Sequence, residues 1–460
     1  MSKYLYGASV QGIQEFIFET NKLKEIIGAS ELIKNIEKDA KNIFEKDKII
    51  INAAGNIKVV FDSKNRAQEA IKNFMKSLRQ KAVGITVSEA IVEFDGENPT
   101  ADDFYKLEER LIEQRNRPEI PIDYKFCILK PAQRTARAVY EIKYDEEVDL
   151  STYQKLNTKQ DSSIELADLK NRHGKIAVIH ADGNSLGSIV PKIANAGKLK
   201  DFSVKLNEAT ENAFKTAKKK FKQLREDSLF IREVILGGDD MTCIVNADYA
   251  LEFVNEYLKN FEKQTKNLPG LNEIKKENLT ACAGIAIVNE KYPVYYAVSL
   301  AEELCSIAKK ESKFIDETNP PSSVKFYNLQ SGNFQGFDLI KKNELEFDGI
   351  SFDFGCYYIN YDKRPLLGDF IKICELFEDD DSPKSKLREW LKSVVYNNEL
   401  ADLQLSRINE ITKNDWKEKF NSLIKNFDEK LSLQNLIING KTPVYDLIMI
   451  TSNTDMKEKK

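Results

Sequence analysis

The sequence predicts an α+β protein made of two βαββαβ units followed by a helical C-terminal region. Three observations predict it. The order strand, helix, strand-turn-strand, helix, strand, helix occurs twice, over residues 3–115 and 175–309. The two runs also match residue against residue. Leu5-Tyr6-Gly7-Ala8-Ser9-Val10-Gln11-Gly12 sits against Val178-Ile179-His180-Ala181-Asp182-Gly183-Asn184-Ser185, and Ala53-Ala54-Gly55-Asn56 against Gly237-Gly238-Asp239-Asp240. From about residue 338 the strand signals give way to helical periodicity. A duplicated βαββαβ unit has ferredoxin-like topology.

In the first unit, residues 3–8 read as a buried strand. Helices follow at residues 13–18 and 22–44, the second with Leu23, Ile26, Ile33, Ile36, Ala40 and Phe44 on one face. Residues 49–54 and 57–61 are strands joined by a tight turn at 52–56. Residues 67–78 are an amphipathic helix, 84–94 a strand and 104–115 a helix. Residues 117–122, with Pro118 and Pro121, read as a connection, and 145–175 as a polar stretch.

In the second unit, residues 175–181 are a continuous apolar strand. A long helix over 201–224 turns Leu206, Ala209, Ala213, Phe214, Ala217, Phe221 and Leu224 inward. Strands at 233–236 and 241–245 flank the turn at 237–240. A helix at 249–261, a strand at 279–288 and a helix at 294–309 complete the unit, and 320–323 is a turn in the connection that follows. Helices are expected at 369–377, 384–396, 399–411 and 414–431, with an acidic loop at 378–383. The expected domains are 1–116, a connecting segment 117–174, 175–337 and 338–460.

The 460 residues carry 42% hydrophobic and 31% charged side chains, which is ordinary globular composition. With 25 Phe and 18 Tyr the chain has ample core, so disorder is excluded as its main state. No apolar run approaches the ~18 residues of a membrane span, and the start lacks the apolar stretch of a signal peptide; a cytoplasmic protein without membrane contact is expected. The net charge of -4 excludes a globally basic nucleic-acid binder but not a local basic groove. The six Cys form no CxxC, so no zinc ribbon or disulfide framework is readable. With only His173 and His180, chemistry that needs a histidine cluster is excluded by count.

The chemistry lies in carboxylates. Asp182 ends an apolar strand, and Asp239 and Asp240 follow two glycines in a hairpin turn. In a βαββαβ sheet that strand and that hairpin are neighbours, so the three carboxylates meet at one sheet end. With a backbone carbonyl they form an oxygen-rich site for Mg²⁺ or Mn²⁺. Two such ions about 4 Å apart lower the pKa of a 3′-hydroxyl and stabilise leaving pyrophosphate. Gly237 and Gly238 let a nucleotide approach the backbone. Gly and Asp are also ordinary turn residues; Asp182, at the matching place upstream, favours the functional reading. His180 shares a strand face with Asp182 and reads as a packed or partly exposed histidine. Lys309-Lys310 and the lysine-rich end of the 201–225 helix read as solvated cations, Lys309 within reach of a triphosphate.

The segments Ile179-His180-Ala181-Asp182-Gly183-Asn184-Ser185-Leu186-Gly187 and Leu236-Gly237-Gly238-Asp239-Asp240 resemble the catalytic palm of the large polymerase-cyclase subunit of type III CRISPR effector complexes, related to GGDEF and nucleotide-cyclase domains. Gly12-Ile13-Gln14-Glu15-Phe16-Ile17-Phe18 and residues 22–33 are similar to that family's first palm, and Thr442-Pro443-Val444-Tyr445-Asp446-Leu447 to its final helical domain. The resemblance implies a nucleotidyltransferase that joins nucleoside triphosphates, ATP above all, into a cyclic or linear oligonucleotide signal in antiviral defence. It implies Asp182, Gly183, Asp239 and Asp240 as ligands of Mg²⁺ or Mn²⁺, two ions per site, with Asp240 helping to activate the attacking hydroxyl. Gly183, Asn184, Ser185, Gly237, Gly238, Lys309 and Gly55 are the implied nucleotide contacts. RNA and CRISPR-type effector subunits are the further implied partners, and an RNA- or partner-binding scaffold is the competing reading. Three departures stand out: Asn184 where the family often has a second acid, no HD nuclease domain ahead of the first palm, and Cys127 alone where the family has zinc-binding cysteines. Ser9, Gly55 and Asn56 replace the carboxylates in the first unit, which reads as a degenerate palm shaping half of a nucleotide pocket.

Overall fold

In the first unit β1 (Lys3–Gln11) leads through α1 (Ile13–Phe18) and α2 (Leu23–Ile43) to the hairpin β2 (Ile49–Ala53) and β3 (Asn56–Phe61). Then come α3 (Lys64–Lys81), β4 (Thr86–Phe94) and α4 (Ala101–Arg115). The sheet runs β2-β3-β1-β4 with antiparallel neighbours, the order a βαββαβ unit produces. The expected apolar stripe of α2 is its buried face, including Ile26, Ile33, Ile36 and Ala40. The computed structural model describes residues 2–45, 48–53, 55–117, 129–158, 165–193, 196–222, 230–330, 336–347, 349–361 and 364–456. Outside them fall Ala54 of the first turn, residues 118–122 of the expected connection, Cys127, and Leu224 and Arg225 at the end of the long helix.

Where the sequence shows only a polar stretch, the structure has the hairpin β5 (Val139–Lys143) and β6 (Glu146–Asp149), then α5 (Leu150–Asn157) and α6 (Leu166–Leu169). The hairpin turns through Tyr144 and Asp145, both at positive φ. Such a turn usually announces itself as Asn-Gly or Asp-Gly, so this one carries no sequence signal.

The second unit comprises β7 (Lys175–Gly183), α7 (Leu186–Ile189), α8 (Ala196–Lys222), the hairpin β8 (Ile231–Gly237) and β9 (Asp240–Asn246), α9 (Ala250–Gln264), β10 (Ala281–Asn289) and α10 (Val294–Ile315). β11 (Ser323–Asn328) then lies parallel to β10. After α11 (Phe337–Ile340) and the small pair β12 (Glu346–Phe347) and β13 (Ile350–Ser351), β14 (Tyr357–Tyr358) closes the sheet in the order β14-β11-β10-β7-β9-β8. Its four strands β10-β7-β9-β8 repeat the order β4-β1-β3-β2 of the first sheet. The register repeats too: Ala8 pairs with Ile57 as Ala181 pairs with Met241. The predicted duplication and α+β class are therefore the observed architecture.

α12 (Leu367–Phe377), α13 (Lys384–Tyr396), α14 (Asn398–Ile411), α15 (Asn414–Ile424) and α16 (Val444–Thr451) form the C-terminal helical region. The last of the expected helices stops at Ile424 instead of 431, because Asn426 turns out to bond the Asp369 carboxylate at 2.9 Å. The chain's end is tied to the second unit: Asp455 N–H donates to Asp248 at 2.9 Å and Asn171 to the Asn453 carbonyl at 2.7 Å.

Two packing features position the site. The units contact each other reciprocally, α2 against β8 and α8 against β2. Ser30 of α2 donates to the Val234 carbonyl and Lys34 pairs with Glu233 at 2.6 Å. Within the second unit, α10 lies hard on β10. A Cβ at Gly284 would stand 1.9 Å from the Ala301 carbonyl oxygen and 2.5 Å from the Cys305 nitrogen, so only glycine permits that approach. It brings Lys309, one turn beyond Cys305, over the end of β7. No helix among the described residues is long and apolar enough to cross a membrane.

Candidate active site

Gly237 ends β8 and pairs with Asp240, the first residue of β9, so Gly238 and Asp239 are the two turn residues. Gly238 has φ +62 and Asp239 does not share the positive sign, the arrangement of a primed hairpin turn with glycine first. Helix α8 clamps this turn. Asn207 accepts from Gly238 N–H at 2.9 Å, and Thr210 donates to the Gly238 carbonyl at 2.7 Å. The apolar face and the lysine-rich end of α8 are legible in the sequence, but this clamp is not. Thr210, fully buried, lies one helical turn after Leu206 on that face, and a polar residue there was the available signal.

β7 is a buried run that ends at the carboxylate because its last residues reach the sheet end. Ala181 pairs with Met241, which sets Asp182 beside Asp240 on the neighbouring strand. Gly183 lets Asp239 close the group: a Cβ there would lie 2.9 Å from Asp239 Cβ and 3.0 Å from Asp239 Oδ2. The structure thus brings Asp182, Gly183, Asp239 and Asp240 together. Lys309 joins them, ion-paired with Asp182 and donating to the Gly183 carbonyl at 2.9 Å. The expected phosphate-reaching lysine is held on the carboxylates themselves.

Burial is the main reason the Asp239 carboxyl is pushed up to about 7, reinforced by the charge of Asp182 and a hydrogen bond to it. Burial, then Asp239 and Asp182, push Asp240 well up. Burial of Lys309 works to lower its pKa, but the Asp182 carboxylate outweighs it and the net shift is upward. His180 is lowered to about 4, by burial first, with Asp182 opposing only in part. Its Nδ1 bonds Thr242 Oγ1 at 2.9 Å.

A cleft of about 330 Å³ opens between the two units beside this group. The first unit supplies Gly12, Gln14, Glu15, Lys34 and Glu37; the second supplies His180, Gly237, Asp240 and Thr242. Gly55 backs this wall: at φ +73, a Cβ on it would press on Ile13 at 2.7 Å and Val10 at 3.0 Å, both lining residues. Asn184 sits apart. It is 2% exposed, and its amide donates to Thr280 Oγ1 at 3.0 Å and toward the Pro320 carbonyl at 3.5 Å, tying the end of β7 to the start of β10. Its expected place at a nucleotide gives way to that tie, because its backbone continues the β7–β10 ladder, with Asn184 N–H donating to the Thr280 carbonyl at 2.8 Å. Ser185, at φ +63, opens α7 and lies off the cleft lining. In the first sheet, Ser9 donates to Asn56 Oδ1 at 2.9 Å, a neutral pair where the second sheet has carboxylates.

The donor set fits a divalent cation. One ring nitrogen of His180 and one carboxylate oxygen each from Asp182 and Asp240 lie within 4.8 Å of one another, and the Lys309 ammonium already places positive charge on the carboxylates.

Carboxylates on the first strand and hairpin of a βαββαβ sheet, beside a cleft whose far wall is α1 and α2 of a second such unit, define a double-palm, cyclase-like fold. Residues 175–314 match the family Cas10/Cmr2, second palm domain. No curated protein matches the chain. In fold it is similar to the Csm1–Csm4 cassette in complex with cA3, at a TM-score of 0.60 and 14% identity, covering 98% of this chain and 69% of that one. The cassette in complex with pppApA gives 0.58 and 13%, covering 98% and 68%. The Csm1–Csm4 subcomplex of the type III-A CRISPR-Csm interference complex gives 0.54 and 13%, covering 98% and 69%. The chain is Cas10-like in its second palm and, over nearly its whole length, in its fold.

Proposed function

We propose that the protein is a metal-dependent nucleotidyltransferase that joins nucleoside triphosphates, ATP first among them, through 3′-5′ bonds into a cyclic or linear oligonucleotide. The observation that carries this reading is the meeting of Asp182, Asp239 and Asp240 beside a cleft that Asp240 lines together with residues of both palms. The similar Csm1–Csm4 cassettes solved with pppApA, cA3 and AMPPNP support adenine nucleotides as substrates. In domain terms, residues 1–116 form the degenerate palm, 117–174 the connection, 175–337 the catalytic palm and 338–460 the mainly helical region, whose β14 adds the edge strand to the catalytic palm's sheet.

Asp182, Asp239, Asp240 and the Gly183 carbonyl would hold Mg²⁺ or Mn²⁺. When bound, divalent cations supply the positive charge that favours an ionised 3′-hydroxyl and a leaving pyrophosphate. The chain's own residues do the rest. Gly237 and Gly238 leave the hairpin backbone open to a triphosphate, and Asn207 and Thr210 keep that hairpin still. Lys309 pairs with Asp182 and donates to the Gly183 carbonyl, and would be the side-chain cation offered to a phosphate there. The first palm, neutral at Ser9 and Asn56, supplies the wall for a second nucleotide, whose hydroxyl is held toward the first. An effector assembly with further subunits and RNA is the setting this reading implies.

The test is incubation with labelled ATP and Mg²⁺ or Mn²⁺, with mass spectrometry of the products. Oligonucleotide formed by the wild type and absent from a folded Asp239→Ala variant is expected. No product with any nucleoside triphosphate, in the presence of RNA and partner subunits, would leave a binding scaffold instead.

A further inference from the structure

We propose that His180 is a nitrogen ligand of the cation held by Asp182 and Asp240, and that it gives this site a preference for Mn²⁺ over Mg²⁺. This rests on the reading of the carboxylates as a metal site and goes beyond it, because an all-oxygen site requires no histidine.

Strand geometry makes the placement. His180 and Asp182 are two apart on β7 and so share a face. His180 pairs across to Thr242 on β9, and Asp240 lies two residues before Thr242. The four side chains therefore form two adjacent cross-strand pairs. The result is the cluster in which one His180 ring nitrogen and an oxygen from each aspartate are within 4.8 Å of one another. Two donors on one cation at about 2.2 Å stand about 3.1 Å apart in cis and about 4.4 Å apart in trans. At most one of the three pairs can be trans on one ion, so from separations at that bound the side chains close by roughly 1–2 Å to share it.

The ring is also held as a ligand is held. Thr242 Oγ1 engages Nδ1 at 2.9 Å, so the nitrogen offered to a cation would be Nε2. Fixing one imidazole nitrogen through a hydrogen bond is how ligating histidines are usually oriented. His180 is 8% exposed, yet it lines the cleft. Its counterpart in the first sheet is Gly7, so the imidazole occurs in the sheet that has the carboxylates and not in the one with Ser9 and Asn56. Mg²⁺ prefers an all-oxygen octahedron, whereas Mn²⁺ accepts imidazole beside carboxylate.

The experiment adds MnCl₂ alone to the purified protein and reads the Mn²⁺ electron spin echo for coupling to ¹⁴N, with Mn²⁺ and Mg²⁺ affinities measured by competition. A directly coordinated ¹⁴N is expected in the wild type. In His180→Gln the nitrogen signal should disappear, Mn²⁺ should still bind through the aspartates, and its advantage over Mg²⁺ should fall about tenfold or more. Thr242→Val, which frees the ring without removing it, should weaken Mn²⁺ within the roughly 10–100-fold range usual for loss of an orienting partner. Mn²⁺ that binds in an Asp182-dependent way without ¹⁴N coupling would overturn the proposal and leave His180 a packed residue beside an intact metal site. Mn²⁺ binding that Asp182→Asn does not affect would overturn both readings.

Discussion

Gly183→Ala tests the site without touching any charged group. The Gly183 backbone is not in the left-handed region, so alanine adds a methyl group without backbone strain. That methyl group would stand 2.9 Å from Asp239 Cβ and 2.8 Å from Leu186 Cδ1. Leu186 can rotate away, but Asp239 is fixed in a turn held by Asn207 and Thr210. Carbon atoms rest about 3.5–4.0 Å apart, so Asp239 must retreat by about 0.6–1.1 Å. A displacement of about 1 Å in a reacting constellation costs about 100-fold in rate, while crowding of this kind costs about 1–3 kcal/mol of stability. Oligonucleotide synthesis from ATP should therefore fall about 100-fold in a protein that still unfolds cooperatively. Gly187→Ala is the control, since a Cβ there meets nothing within 4 Å. A folded Gly183→Ala variant with wild-type rate and Mn²⁺ affinity would refute the claim that this glycine admits Asp239 to the site.

Three further outcomes follow from named contacts. Lys309→Met removes the cation that offsets Asp182, so the melting temperature should drop in EDTA and most of the loss should be recovered with Mn²⁺; equal losses in both would show Lys309 to be merely structural. Gly55→Ala presses on Ile13 and Val10 behind the first-palm wall, so calorimetric titration with a non-hydrolysable ATP analogue should show one of two sites weakened; a single site untouched by the change would exclude a composite cleft. Asp446, beside Asp353 and Lys325 and accepting from Tyr357 at 2.8 Å, is pushed up to about 7 by burial. A raised folded pKa means the folded state binds the extra proton, so this contribution is full below about pH 4 and is lost as pH rises through about 7, by at most about 4 kcal/mol. Asp446→Asn should therefore flatten the fall in melting temperature between pH 5 and pH 8, and an unchanged slope would exclude Asp446 as its source.

The site's framework was legible because it lies in local patterns. β7 is an apolar run that stops at Asp182, and the Gly-Gly-Asp-Asp turn sits between two short strands, so strand and hairpin could be read directly. Their adjacency followed from the duplicated unit rather than from either motif. What stayed hidden depends on tertiary partners. β11 has all six residues buried, including Lys325, which pairs with Asp353 at 2.6 Å; its mixed composition gives neither alternation nor an apolar run. Asn184 looks like a loop residue open to a ligand, and only the Thr280 and Pro320 partners turn it inward. The reciprocal packing of α2 on β8 and α8 on β2 has no local signature either, since each helix shows an apolar face without naming its partner.

The asymmetry between two sheets of one register has a physical rationale. Gathering three carboxylates at one sheet end is costly: burial first, and then their mutual repulsion, push Asp239 and Asp240 upward. Lys309 offsets part of it, and α10 can deliver that lysine only because Gly284 lets it lie on β10. The first sheet has no such charge to balance. Ser9 and Asn56 satisfy each other at 2.9 Å, so its sheet end is stable whether or not a cation is present. α2, built on that sheet, reaches across through Ser30 and Lys34 to β8, the strand that leads into the Gly237-Gly238 turn. A neutral, self-satisfied first palm thereby braces the hairpin of the second. A second carboxylate set at Ser9 and Asn56 would add repulsion to the element that does the bracing. Concentrating the charge on one palm and the rigidity on the other resolves that conflict within a duplicated fold.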